Sequence, residues 1–174
     1  RVIGIVQPQA TGEASPESPA GNTVGLKRIG SVGRVTSYQE LDDGRLLITL
    51  TGIARFESID EAAVAKPYRI MSVSYDKYTA DFAEGHGEDQ VDRAKLLRVL
   101  KAYLDANRLS ADWSSITRAS NEILVNALSV MSPYGPEEKQ ALLEAVDLKS
   151  RAEVLIALAE MELASSADSG GTLQ

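Results

Sequence analysis

The sequence predicts an α+β protein in which an antiparallel β-sheet comes first and a small bundle of α-helices follows. Strand-like apolar runs, separated by glycine, proline and an Asp-Gly pair, occupy the chain up to residue 83. After residue 90, apolar residues recur at the spacing of about 3.6 residues that is typical of helices. No repeat of fixed period is present, which argues against a solenoid array.

The chain begins with the apolar run of residues 2–6, which Pro8 ends. An apolar run of this length predicts a buried strand. Residues 9–23 consist mainly of Ala, Thr, Gly, Glu, Ser and Pro and contain almost nothing to bury. We therefore expect a mobile surface loop there.

Two longer strands are expected to form a hairpin. Residues 26–35 and 46–59 are rich in strand-forming residues, and Asp43-Gly44 lies between them. Because glycine readily adopts the positive φ of a tight turn, this pair predicts a hairpin turn. A further β-rich run at residues 68–75 completes a mostly antiparallel sheet, which we expect to curl into a barrel-like shape.

Glycines interrupt both strands of the predicted hairpin. Gly33 disturbs the alternation of the first strand, and Gly52 separates two strand-like runs in the second. Glycine inside a strand often marks a bulge or a close backbone approach. We therefore predict a bulge or a close backbone approach at Gly33, and a bend or bulge at Gly52.

The predicted boundaries follow from changes in composition. We expect a β subdomain over residues 1–83, an acidic, glycine-containing linker over 84–89, a helical bundle over 90–164 and a disordered tail over 165–174. Within the bundle, Asp112 and Asp147 are predicted to cap helices, and Pro136 is predicted to stand at the first position of another. Trp113, the only tryptophan, could anchor a partner, but is expected to be a core or hinge residue of the bundle.

Composition excludes several classes of chemistry. The chain has 18 Lys and Arg residues against 25 Asp and Glu residues, a net charge of −7 that disfavours binding to nucleic acid. It contains no cysteine and one histidine, so thiolate and multi-histidine metal sites are impossible. No apolar run approaches the roughly 18 residues of a membrane-spanning helix. We expect no metal, no cofactor and no membrane association.

The sequence contains none of the motifs that would indicate an enzyme. Neither a phosphate-binding G-x-x-x-x-G-K-[ST] loop nor a G-x-S-x-G nucleophile elbow occurs. His86 stands between two glycines and is best interpreted as an exposed spacer. Asp42 and Asp43 could act as a carboxylate pair, but their position between two strand-like runs favours a turn. We therefore expect no catalytic residue and no enzymatic activity.

One aromatic cluster is a candidate for binding. Tyr75, Tyr78 and Phe82 close the β half and could form an apolar, partly exposed surface that binds peptides. The residues alone favour a different interpretation, because alternate aromatic residues in a strand-like run more often form core and cross-strand pairs.

Several motifs also occur in a characteristic order. In the β half these are residues 28–35 (RIGSVGRV), Asp43-Gly44-Arg45, residues 48–56 (ITLTGIARF) and Pro67-Tyr68. In the helical half they are Asp112-Trp113, residues 124–128 (LVNAL), 136–145 (PEEKQALLEA), 151–153 (RAE) and 155–163 (LIALAEMEL). Together they resemble the N-terminal, substrate-binding domain of Lon proteases, over nearly the whole chain from Arg1 to about Leu163.

This resemblance implies that the β half is a pseudobarrel of the PUA-like type and that the chain recognises protein substrates. The chain looks most like stand-alone bacterial proteins that carry only this domain. Its 174 residues hold no counterpart of the ATPase module or of the Ser-Lys protease domain, so no catalytic residue is carried over. Family members have a further apolar strand before the position of Arg1, and we expect that residues precede it here as well.

The sequence is compatible with three functions. The first is a non-catalytic module that binds unfolded or apolar polypeptide segments, as an adaptor or weak chaperone, with a separate ATP-dependent protease as a further partner. The second is an RNA-binding module, because PUA-like barrels elsewhere bind RNA, although the negative charge opposes it. The third is a small hydrolase, which would need a pocket with convergent polar groups. We favour the first, in the cytoplasm.

Overall fold

The computed structural model describes residues 1–9, 24–64 and 66–169, with side chains described up to residue 165. The chain divides into two compact units, Arg1–Glu84 and Gly85–Gln174. We call these the β unit and the helical unit. The surface loop predicted for residues 9–23 lies, apart from its first residue, outside the described part of the chain.

The β unit is a curled half-barrel. Its strands are β1 (Val2–Pro8), β2 (Leu26–Glu40), β3 (Leu46–Glu61) and β4 (Met71–Ser74), and a 3₁₀ segment (Asp76–Phe82) follows them. The strands pair antiparallel in the order β1-β2-β3-β4. Since helices follow this sheet, the predicted α+β class is confirmed.

The predicted hairpin turn joins β2 to β3. Gly44 has a φ of 77°, and the amide of Leu41 donates to the carbonyl of Arg45 at 2.8 Å. The carboxylate of Asp43 accepts hydrogen bonds from the backbone amide of Arg45 at 3.1 Å and from its Nε at 2.7 Å. A glycine at the positive-φ position and an aspartate that bonds two residues ahead account for the turn.

The bulge predicted at Gly33 and Gly52 is also present. The register passes from the pair Val32–Ala54 directly to the pair Gly33–Gly52, so that Ile53 is an extra residue on β3. A bulge bends its strand and increases the local twist. It therefore contributes to the curl of the half-barrel.

The prediction of a buried first strand is wrong. β1 forms, but Val2 and Ile5 are 59% and 53% exposed. Among the described strands β1 lies at an edge of the sheet and pairs with β2 alone, so part of its surface stays uncovered. The buried core of this sheet is formed instead by Val32, Ala54 and Phe56.

The helical unit begins with a short 3₁₀ turn (Glu88–Gln90) and continues with five helices. These are α1 (Arg93–Ala106), α2 (Trp113–Arg118), α3 (Asn121–Met131), α4 (Pro136–Glu144) and α5 (Leu148–Ser169). Helix α5 packs against α1, α3 and α4 and contributes Ala152, Leu155, Ile156 and Ala159 to the core of the unit.

The predicted helix starts are confirmed. The carboxylate of Asp112 accepts hydrogen bonds from the backbone amides of α2, and Asp147 accepts one from the amide of Ser150 at 2.7 Å. Pro136 stands at the start of α4. Trp113, expected to be a core or hinge residue, is not in the core: it is 37% exposed, because it is the first residue after the Asp112 cap and α2 has no buried residue.

The predicted linker, residues 84–89, is bound to the helical unit. The amide of Gly85 donates to the carboxylate of Glu122 at 2.7 Å. The amide of Glu122 in turn donates to the carboxylate of Glu88, also at 2.7 Å. These bonds attach the segment to the first turn of α3.

The disordered tail predicted for residues 165–174 starts too early. Helix α5 continues to Ser169, and the hydroxyl of Ser165 donates to the carbonyl of Met161 at 3.0 Å. Alanine and serine in this stretch are compatible with a helix, so the backbone follows α5 beyond its last core residue. Residues 170–174 lie outside the described part of the chain.

Candidate binding sites

Two of the three predicted aromatic residues lie together at the surface of the β unit. Tyr75 precedes the 3₁₀ segment and Phe82 ends it. Their rings meet edge to face, with centroids 5.8 Å apart and planes inclined at 68°. Phe82 is 59% exposed and Tyr75 is half-buried. We call this pair the aromatic surface.

Tyr78, the third residue, is completely buried. The guanidinium carbon of Arg55 lies 4.2 Å from the centre of its ring. Arg55 also donates to the carboxylate of Asp81, from Nε at 2.8 Å and from Nη2 at 2.6 Å. Burial beneath this ion pair counts against placing Tyr78 on a peptide-binding surface. Its ring packs in the interior and supports the arginine by a cation–π contact.

A cavity of about 340 Å³ in the β unit is lined by residues from all four strands. Tyr75 lines it, so the aromatic surface continues into the cavity. The guanidinium of Arg69 is the one charged group among its lining residues, and it is paired with Glu61 at 2.7 Å and 2.5 Å. Hydrogen bonding to Glu61 raises the pKa of Arg69. The remaining lining is Gly4, Val6, Leu26, Val32, Phe56, Met71 and Val73.

The helical unit contains a larger cleft, which the sequence did not predict. Its volume is about 480 Å³, and α1, α2, α3, α5 and the connections that follow α1 and α3 line it. The floor consists of buried residues such as Leu96, Leu124 and Ile156. Exposed residues such as Leu109 and Met131 stand at its mouth. We call this site the helical cleft.

The polar groups of the helical cleft lie on a few lining residues. Asp112 is the one charged side chain among the lining residues in the part of the chain that the structure describes. Hydrogen bonds from the hydroxyls of Ser114 and Ser115 and from their amides lower the pKa of Asp112 to about 2, so its carboxylate stays ionised. Burial raises the pKa of Tyr134 to about 12 and also raises that of Tyr103, whose hydroxyl lies 3.5 Å from Glu162.

The connection between α1 and α2 is held in a defined conformation at the cleft. Arg108 has a φ of 55°, in the left-handed region. The amide of Leu109 donates to the carbonyl of Leu104 at 2.8 Å, and that of Arg108 to the carbonyl of Asp105 at 3.2 Å. This is a Schellman motif with arginine where glycine is usual. It places Leu104 and Leu109 together in the cleft wall.

Metal sites and membrane-spanning helices are two other kinds of feature that the described residues could have formed. Within the part of the chain that the structure describes, no three His, Asp or Glu residues are grouped so that they could hold a metal ion. None of the helices described is both long enough and apolar enough to cross a membrane.

A curled antiparallel half-barrel with a mixed polar and apolar cavity and a helical unit with an apolar cleft make up this α+β chain. Comparison with families identifies it further. The model of the ATP-dependent protease La (LON) substrate-binding domain matches residues 4–160. The chain therefore belongs to the LON substrate-binding domain family. A search of curated proteins finds no match.

Solved structures share this fold at low sequence identity. One is the N-terminal domain of the Mycobacterium avium complex Lon protease, with a TM-score of 0.58 at 17% identity, covering 92% of this chain and 90% of that one. Another is a Lon N-terminal domain protein from Xanthomonas campestris, with a TM-score of 0.54 at 16% identity, covering 90% and 89%. At such identity the likeness shows the fold alone.

Proposed function

We propose that this chain is a non-catalytic protein-binding module that recognises unfolded or apolar polypeptide segments. The observation that carries the proposal is the helical cleft, whose volume of about 480 Å³ falls in the range of roughly 300–1,000 Å³ typical of ligand sites. Its lining is dominated by leucine, valine, isoleucine and methionine. Such a surface gains free energy when it covers apolar side chains that a folded protein would keep buried.

The aromatic surface supports the same proposal as a second contact. Exposed aromatic residues are enriched where proteins bind one another. Phe82 and Tyr75 present such a surface beside the cavity of the half-barrel. In this proposal Tyr75 and Phe82 contact the bound polypeptide. The buried ring of Tyr78 anchors the 3₁₀ segment that carries Phe82.

The proposal extends to partners and location. As an adaptor the module would pass its segment to a separate ATP-dependent protease, and as a weak chaperone it would act without one. Family membership supports a polypeptide ligand, and a net charge of −7 favours it over RNA. A cysteine-free chain suits a reducing compartment, and we place the protein in the cytoplasm.

Fluorescence anisotropy tests the proposal with one labelled model protein in its folded and permanently unfolded forms. We expect saturable binding of the unfolded form alone. Ala127→Trp should weaken it about tenfold or more, because this exposed residue lines the helical cleft and a large ring would fill it. Phe82→Ala should weaken it about fivefold.

Ala157→Trp is the matched control, because Ala157 is an exposed α5 residue outside the cleft lining. It should leave binding unchanged. Equal binding of the folded and unfolded forms would contradict the proposal. So would an absence of saturable binding at high micromolar concentration.

A further inference from the structure

We infer that the helical cleft selects polypeptide segments in which an apolar anchor is flanked by lysine or arginine. This inference rests on the proposed function, since it names the class of segment that the same cleft takes. It combines the shape of the cleft, the charges around it and the adaptability of its rim.

The cleft can hold an apolar side chain of the bound segment, because its floor is fixed by packing and a side chain at its mouth is flexible. Leu124 and Ile156 are buried in the floor and are fixed by the core of the unit. Met131 at the mouth is 80% exposed. Methionine is flexible and polarisable, so it can fit side chains of different shape. The walls therefore favour an apolar anchor without requiring one particular residue.

The charges around the cleft favour a cation beside that anchor. Among the residues that the structure describes, no lysine or arginine lines the cleft, whereas the carboxylate of Asp112 does. The carboxylate of Glu162 lies 3.5 Å from the hydroxyl of Tyr103, another lining residue. The sequence of the helical unit has nine Lys and Arg residues against fourteen Asp and Glu residues, a formal net charge of −5. An acidic flank on the bound segment would thus be repelled and a basic flank attracted.

Arg118 is a cation near the cleft and opposes the attraction of a basic flank. The guanidinium of Arg118 reaches the hydroxyl of Ser115 at 3.5 Å, and the same hydroxyl donates to Asp112 at 2.5 Å. Arg118 lies outside the cleft lining. Neutralising Asp112 and neutralising Arg118 should therefore change the selection in opposite directions.

Three labelled peptides with one shared apolar core test the inference on the full chain. Their flanks are lysines, serines or glutamates, and their affinities are compared by anisotropy at low and high salt. We expect the lysine-flanked peptide to bind about tenfold tighter than the glutamate-flanked one at low salt, with a smaller ratio at high salt. Ala127→Trp should weaken all three.

Variants then locate the selection. Asp112→Asn should reduce the lysine preference about threefold, because asparagine still caps α2 but carries no charge. Arg118→Gln should increase the preference. Glu153→Gln removes an equivalent charge from an exposed α5 position outside the cleft lining, and should leave the preference nearly unchanged. Circular dichroism verifies that each variant is folded.

The outcomes separate the inference from the proposed function. If all three peptides bind equally and Ala127→Trp weakens each of them, the cleft binds apolar segments without selecting basic flanks. This result would overturn the inference but agree with the proposed function. A lysine preference that neither Asp112→Asn nor Ala127→Trp alters would mean bulk attraction to an acidic protein, which also overturns it. If no peptide binds and the unfolded protein does not bind either, the proposed function fails as well.

Discussion

Replacing Asp81 by asparagine should destabilise the β unit strongly. Its carboxylate accepts three hydrogen bonds from Arg55, from the backbone amide at 2.9 Å, from Nε at 2.8 Å and from Nη2 at 2.6 Å. The side chain of Arg55 is only 7% exposed and that of Asp81 is 18% exposed. Asp81→Asn therefore removes a negative charge that pairs with a guanidinium in the interior, directly above the buried ring of Tyr78.

Removing one partner of a buried ion pair costs about 3–5 kcal/mol. Asparagine keeps one acceptor oxygen, and the side chain at position 81 is partly exposed. We therefore expect a destabilisation at the lower end of this range, about 3 kcal/mol. That corresponds to more than about a hundredfold change in the ratio of folded to unfolded β unit. Glu57→Gln serves as the control. Its partner Arg28, at 3.1 Å, is 73% exposed, so the pair should contribute about 1 kcal/mol or less.

Hydrogen exchange measured by mass spectrometry suits this prediction, because it reports the two units separately. Amides in β2 and β3 should lose about a hundredfold of their protection in Asp81→Asn and less than about fivefold in Glu57→Gln. If both variants change protection equally little, the ion pair does not stabilise the β unit and the argument from burial is wrong.

The remaining predictions concern the helical unit. Arg108→Gly should stabilise it by about 1 kcal/mol, because glycine adopts the left-handed φ of 55° without steric cost. Urea unfolding followed by Trp113 fluorescence measures this change. A lower stability would contradict the Schellman assignment. Asp112 should titrate near pH 2 by NMR, below its ordinary value of 3.8. The stability that it contributes is therefore present above pH 3.8 and lost as the pH falls through about 2, and Asp112→Asn should abolish this dependence. Tyr134 should ionise near pH 12 in ultraviolet titration, and Tyr134→Phe should remove that step; a midpoint near 10 would show that its hydroxyl is not buried.

Features that depend on neighbouring residues could be predicted from the sequence. Gly44 forms the expected turn because its positive φ and the bonds of Asp43 are settled within a few residues. The caps at Asp112 and Asp147 are equally local. The strand and helix order followed from the same kind of rule, and so did the α+β class.

Features that depend on distant residues could not be predicted. Tyr78 is buried because Arg55, from β3, covers its ring and pairs with Asp81, 26 residues further along the chain. The spacing of the aromatic residues along the chain does not indicate that Arg55 and Asp81 form an ion pair. The helical cleft is likewise assembled from α1, α3 and α5, so no single segment reveals it. An apolar helix face gives the same pattern whether it is covered or lines a cleft.

The position of α5 has a consequence for synthesis on the ribosome. This helix packs against α1, α3 and α4 and supplies part of the floor of the helical cleft, yet it follows all of them along the chain. The earlier helices therefore emerge from the exit tunnel with their apolar faces uncovered. These apolar faces stay uncovered until α5 has been translated. The strands of the β unit have left the exit tunnel long before. The nascent helical unit is thus exposed to chaperones late in translation, and its core closes only after Leu155 and Ile156 leave the ribosome.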